Sequence, residues 1–175
     1  MATDRRLTFI RKWVRRAEGA KDPFDAFFSV WIALIVAAQR LRTQLGTPFR
    51  QAEDDDRQRV LDYFRVNQER ILAALREHEA GMIKLAHRRG TQHGSPIVDT
   101  GNTDLRRRFA RLAAHYTQGP CLSDDELVRN VAELFNKIRN NVFHGVKVYD
   151  DRDDIAVLEQ VNPVLVAVLR RCESL

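Results

Sequence analysis

The sequence predicts an all-α fold: a helical bundle of about five to six helices in a single domain over residues 1–175, with one long loop near 90–102. Three observations predict it. Apolar residues recur at three- and four-residue spacing along most of the chain. Helix formers (Ala, Leu, Arg, Glu, Gln) dominate, while Gly and Pro number only 8 and 5. No alternating apolar–polar stretch is long enough to argue for a sheet, and no internal repeat is present. With 175 residues, 44% hydrophobic and 30% charged, the chain is long and apolar enough to bury a core.

Six helical segments follow in order. The first, about 4–18, places Leu7, Ile10, Val14 and Ala17 on one side and Arg5, Arg6, Arg11, Lys12, Arg15 and Arg16 around the rest. The second, about 23–45, has Asp22 as N-cap and Pro23 at the first helical position, and stops at Gly46 and Pro48. Its most apolar run, 26–38, is shorter than the ~20 residues of a membrane span and reads as a buried core helix. The third is long, about 54–88, opened by Asp54, Asp55 and Asp56, with Gly81 as the expected kink or division. Residues 90–102, rich in Gly, Thr, Ser, Asp and Pro, form the expected loop. The fourth helix is about 103–117. The fifth begins at the capping box Ser123-Asp124-Asp125-Glu126 and runs to about His144, with Gly145 as its stop. The sixth, about 153–171, is expected to kink or split at Pro163. Val146-Lys147-Val148-Tyr149 reads as a short extended piece.

Function points to the fifth helix. At ~100° per residue, Leu127, Val131, Leu134, Phe135, Ile138 and Val142 share an apolar sector. Asn136, Asn140 and His144 follow at four-residue steps on the other side, with Arg139 at the edge, so Asn140 and His144 are expected to face solvent or a second chain. Histidine exchanges a proton near neutral pH. Arginine matches phosphate oxygens with a planar, permanently charged fork. Asparagine orients a neighbour or donates to an anion. The competing reading is a solvated helix end, where a histidine is favoured by the helix macrodipole. Clusters with metal-ligand spacing, Walker-type loops and nucleophile elbows are absent from the sequence, so neither metal nor cofactor is expected.

Lys137-Ile138-Arg139-Asn140-Asn141-Val142-Phe143-His144-Gly145 resembles the signature of HEPN domains (higher eukaryotes and prokaryotes nucleotide-binding), in which Arg, a polar residue, three variable residues and His follow one another. Phe27-Phe28-Ser29-Val30-Trp31-Ile32-Ala33-Leu34 is similar to the first core helix of the Apea-like and related bacterial branches, although a polar Asn common after that stretch is Ile35 here. The resemblance implies a metal-independent endoribonuclease, a toxin or defence component, working as a homodimer whose motif helices form one cleft. It implies His144 as general base or acid on the ribose 2′-hydroxyl, Arg139 on the scissile phosphate and Asn140 as orienting or phosphate-binding group. A 2′,3′-cyclic phosphate would be the product. Lys137, Lys147, Arg106, Arg107 and Arg111 are the expected substrate-binding residues, and single-stranded RNA and an antitoxin protein the expected partners.

Two other functions compete with this reading: a non-catalytic RNA- or nucleotide-binding module, and a helical protein that neutralises or assembles with another chain, such as a nucleotidyltransferase antitoxin. A formal charge of +5 and a pI of about 9.6 are compatible with a polyanionic partner. The arginine clusters read equally as an RNA track or as solvated helix faces. Cys121 and Cys172 stand far apart, which with the charged N-terminus fits a reduced cytoplasmic setting without membrane insertion. His78, His87, His93 and His115 read as surface or packing residues, and Trp13 and Trp31 as core or interface anchors.

Overall fold

Eight helices make up the described part of the chain, residues 4–46, 56–88, 100–143 and 152–175 of a computed structural model. They are α1 (Arg5–Gly19), α2 (Pro23–Gln44), α3 (Asp56–Val66), α4 (Gln68–Glu77), α5 (Glu79–Ala86), α6 (Thr103–Thr117), α7 (Asp124–Phe143) and α8 (Arg152–Glu173). Among the described residues there is no strand. Helix α2 packs against α1, α3 and α8, and α7 packs against α3, α4 and α6.

The apolar run of the second segment places α2 at the centre. Asp22 caps it by accepting from the backbone N–H of Phe24 at 2.8 Å and of Asp25 at 3.0 Å. Phe27, Val30, Ala33, Leu34 and Ala37 are fully buried, each large side chain contributing about 1.5–3 kcal/mol. By length and composition α2 is the one described helix able to cross a membrane, but its apolar side chains are buried within the bundle. Ile35 is partly buried and packs against the same core.

The long third segment is three helices, not one. The break falls at Asn67, where the side-chain Nδ2 donates to the Tyr63 carbonyl at 2.9 Å and competes with the backbone for it. It falls again at His78, whose carbonyl accepts from both Gly81 and Met82. Gly81 lies inside α5, so the expected division there is displaced by three residues. Pro163 does not split α8, which runs unbroken from Arg152 to Glu173. Its ring sits on the exposed side, while Val161, Val164, Leu165 and Val168 are fully buried and hold the helix. Gly145, the extended piece 146–149 and residues 89–99 of the expected loop lie outside the described residues.

Both ends of the chain are tied to one buried carboxylate. Glu173 accepts from Arg40 at 2.9 Å and from the Tyr63 hydroxyl at 2.9 Å, and Arg40 also meets Asp4 at 2.6 Å. Burial pushes the Tyr63 hydroxyl well above its ordinary pKa and the neighbouring Cys172 thiol up to about 12. Cys121 and Cys172 are both free.

Candidate functional site

Helix α7 carries the motif, and its sequence explains its placement. Ser123 and Glu126 form the expected capping box: the Glu126 N–H donates to Ser123 Oγ at 3.3 Å and the Ser123 N–H to Glu126 Oε2 at 3.2 Å. Leu127, Val131, Leu134, Phe135 and Ile138 are buried, as their shared sector requires. Helices α3, α4 and α6 enclose more of α7 than one stripe, so polar residues are buried too. Glu133 is 3% exposed and accepts from Arg57 Nε at 2.9 Å. Asn136 is 4% exposed, with Nδ2 donating to the Ala132 carbonyl at 2.9 Å. This corrects the outward face read from periodicity: Asn136 points into the bundle, and Asn140 is half-buried rather than free.

The last turns of α7 assemble the site. Arg139 donates from Nη1 to Asn140 Oδ1 at 3.0 Å, and Nη2 lies 3.5 Å from Asp56 Oδ2. The Asp56 carboxylate also meets Arg59 at 3.2 Å, so one negative charge is shared by two guanidinium groups and the cluster stays positive. Arg139 Cζ sits 4.9 Å from the centre of the Phe143 ring, and that ring packs 4.5 Å from Phe28 of α2. The Arg139 side chain is 27% exposed and its Nε is a buried donor with no hydrogen-bond partner among the described residues. An unmet buried donor costs about 1–3 kcal/mol.

No family model matches the chain, and no curated protein or solved structure is significantly similar to it. The chemistry rests on the residues themselves. Arg139 and Asn140 meet at the end of α7, while His144 and Lys147 lie outside the described residues. Lys137 is partly exposed on the same helix. The three expected α6 contributors are not brought to the motif. Arg111 pairs with Glu126 at 2.9 Å, more than three turns and about 20 Å along the α7 axis from Arg139. Arg106 donates to the Thr100 carbonyl at 3.2 Å, and Arg107 faces Asp104 at 3.9 Å. Their contacts run to their own helix end and to the start of α7.

Asp56, Phe28 and Phe143 are site residues that sequence reasoning did not single out. Asp56 reads from sequence as a helix-start acid, and nothing local announces a partner 83 positions away. Phe28 and Phe143 lie within the quoted motifs, but periodicity cannot say that their rings meet. Among the described residues no three His, Cys, Asp or Glu side chains converge as a metal site. The arrangement can present an oriented guanidinium, backed by an amide and an aromatic ring, to an anion arriving at the exposed end of α7.

Proposed function

We propose that this chain is a metal-independent endoribonuclease of the HEPN type, acting as a homodimer in which the α7 ends of two copies form one cleft. His144 takes the proton of a ribose 2′-hydroxyl as the 2′-oxygen bonds to the adjacent phosphorus. The bond from phosphorus to the 5′-oxygen breaks, and that oxygen leaves with a proton, giving a 2′,3′-cyclic phosphate and a 5′-hydroxyl end. Arg139 stabilises the charge that grows on the phosphoryl oxygens, and Asn140 fixes the guanidinium. The observation that carries the reading is Arg139: its guanidinium is held by Asn140 and Phe143 at the motif end of α7, and its side chain is 27% exposed.

The deciding experiment is cleavage of a labelled single-stranded RNA pool in EDTA by the wild type, His144→Ala and Arg139→Ala. Cyclic-phosphate ends from the wild type alone, with all three proteins folded, support the enzyme. Equal behaviour of all three removes the motif as a catalytic site. A non-catalytic RNA- or nucleotide-binding module is the second reading, and the Asp56 contact favours it, because it engages Arg139 within its own chain.

A further inference from the structure

Helix α1 holds six cations, Arg5, Arg6, Arg11, Lys12, Arg15 and Arg16, against the one carboxylate of Glu18, so its formal charge of +5 equals that of the whole chain. All six are exposed. Among the described residues none of them pairs with a carboxylate. Ion pairs are made instead by arginines elsewhere, such as Arg40, Arg42, Arg57, Arg111 and Arg171. Glu18 goes to Arg170 at 2.7 Å, and Arg6 donates to the Thr43 hydroxyl at 2.6 Å.

This charge works against the helix that bears it. The first turn of α1 carries Arg5 and Arg6, where the macrodipole disfavours cations. The N-cap Asp4, which accepts from the Arg6 and Leu7 N–H groups, offsets them only in part because it also pairs with Arg40. Arg11–Arg15 and Lys12–Arg16 are like-charge pairs one turn apart, which repel. The helix forms because Ile10, Val14 and Ala17 are buried, α1 packing chiefly on α2. Local rules broken without a folding gain point to a partner.

The sector of Arg5, Lys12 and Arg16 also carries aromatic rings. Phe9 is 40% exposed, its ring lies 5.8 Å from that of Trp13, and Arg16 Cζ stands 5.0 Å over the Trp13 ring. Trp31 is a core residue at 2% exposure, as expected, but Trp13 is only partly buried and belongs to this column. At ~100° per residue Arg5, Phe9, Lys12, Trp13 and Arg16 occupy one sector beside the buried stripe.

We propose that this face of α1 docks a single-stranded nucleic acid, its phosphates against the unpaired cations and its bases stacked on Phe9 and on the outer face of the Arg16 guanidinium. A bilayer fits less well, since the apolar stripe of α1 is already buried in the bundle and leaves little to insert. The short connection from Gly19 to Pro23 places the Arg15–Arg16 end of α1 beside the start of α2, where Phe28 holds Phe143. A strand lying along α1 therefore leads toward the end of the bundle that carries Arg139. The docking surface does not depend on cleavage there.

The test is fluorescence anisotropy of a labelled oligothymidylate strand with the full chain across a salt series. That strand has no 2′-hydroxyl, so failure here and failure of RNA cleavage are separate results. Phe9→Ala is expected to weaken binding about tenfold at unchanged salt slope. The double variant Arg5→Gln, Lys12→Gln, altering only exposed side chains of that sector, is expected to flatten the slope by about 0.7 for each phosphate it no longer neutralises. Quenching of Trp13 emission in a Trp31→Phe background supports the column. Phe9→Ala binding as tightly as wild type, inorganic polyphosphate competing as well as the oligonucleotide, or vesicles containing phosphatidylserine being bound in its place would each overturn the proposal.

Discussion

The two ends of α7 differ in charge, with Asp124, Asp125 and Glu126 at the start and Arg139 near the other end, and they are finished differently. At its start the polar groups satisfy one another. Ser123 and Glu126 exchange hydrogen bonds with each other's amides, Arg111 pairs with Glu126, and His115 Nδ1 accepts from the N–H groups of Cys121 and Leu122 at 3.1 and 3.2 Å. At its other end Arg139 shares one carboxylate with Arg59, is 27% exposed at its side chain and leans on Phe143, itself 38% exposed. One helix thus uses charge to close a structure at its start and leaves charge open at its finish. An open end is what binding requires, because an anion reaches a guanidinium only where solvent does.

The strongest way to break that comparison is Arg139→Ala. If the open end is catalytic, RNA cleavage falls by about 10²–10³-fold, the usual effect of removing one donor to a developing oxyanion. Stability should change by less than about 1 kcal/mol, because the pair removed is partly exposed and long. A large drop in the urea midpoint with little kinetic effect would place Arg139 among the closing residues instead.

Next comes Glu133, in the middle of the same helix. Its carboxylate is buried against Arg57, and Glu133→Ala should lower stability by about 3 kcal/mol by removing a charge-assisted hydrogen bond and emptying a packed position. Thermal unfolding should shift by roughly 10 °C in a chain of this size. A shift within error would mean that solvent takes over the exposed side of the Arg57 guanidinium without loss.

How much of this was legible follows the same division. The capping box, the Asp22 cap and the apolar sector of α7 are local, set by residues within one or two turns, and they stand where the sequence places them. The breaks at Asn67 and His78 are local in mechanism but silent in the hydrophobic pattern, which continues across both. Asn136 misled because a helix packed on several sides buries part of its polar face, and one sequence's period cannot count neighbours. The Asp56–Arg139 contact depends on α3 meeting α7, as does the burial of Glu133 under Arg57, and no spacing encodes either.

Ser123→Ala tests the closed end more gently. It removes the oxygen that receives the Glu126 N–H and should cost about 1 kcal/mol, read as a small fall in the urea midpoint with no change in RNA cleavage.

The smallest effect expected is pH dependence at His115, and its sign is fixed by the geometry. Burial lowers the His115 pKa below the ordinary histidine value, with Asp124 and Glu79 opposing. Nδ1 must also stay unprotonated to accept from Cys121 and Leu122. The unfolded chain, with a histidine pKa near 6.5, therefore takes up the proton before the folded one. The stabilisation is whole above about pH 6.5 and is lost as pH falls through the lower folded value. Hydrogen exchange at the Cys121 and Leu122 amides should therefore slow less on acidification through that range than the fall in base catalysis alone requires, and His115→Phe should abolish the difference. Protection that tracks intrinsic exchange throughout would show that the connection before α7 is held by something other than the imidazole, and the start of the helix would then be less closed than its hydrogen bonds suggest.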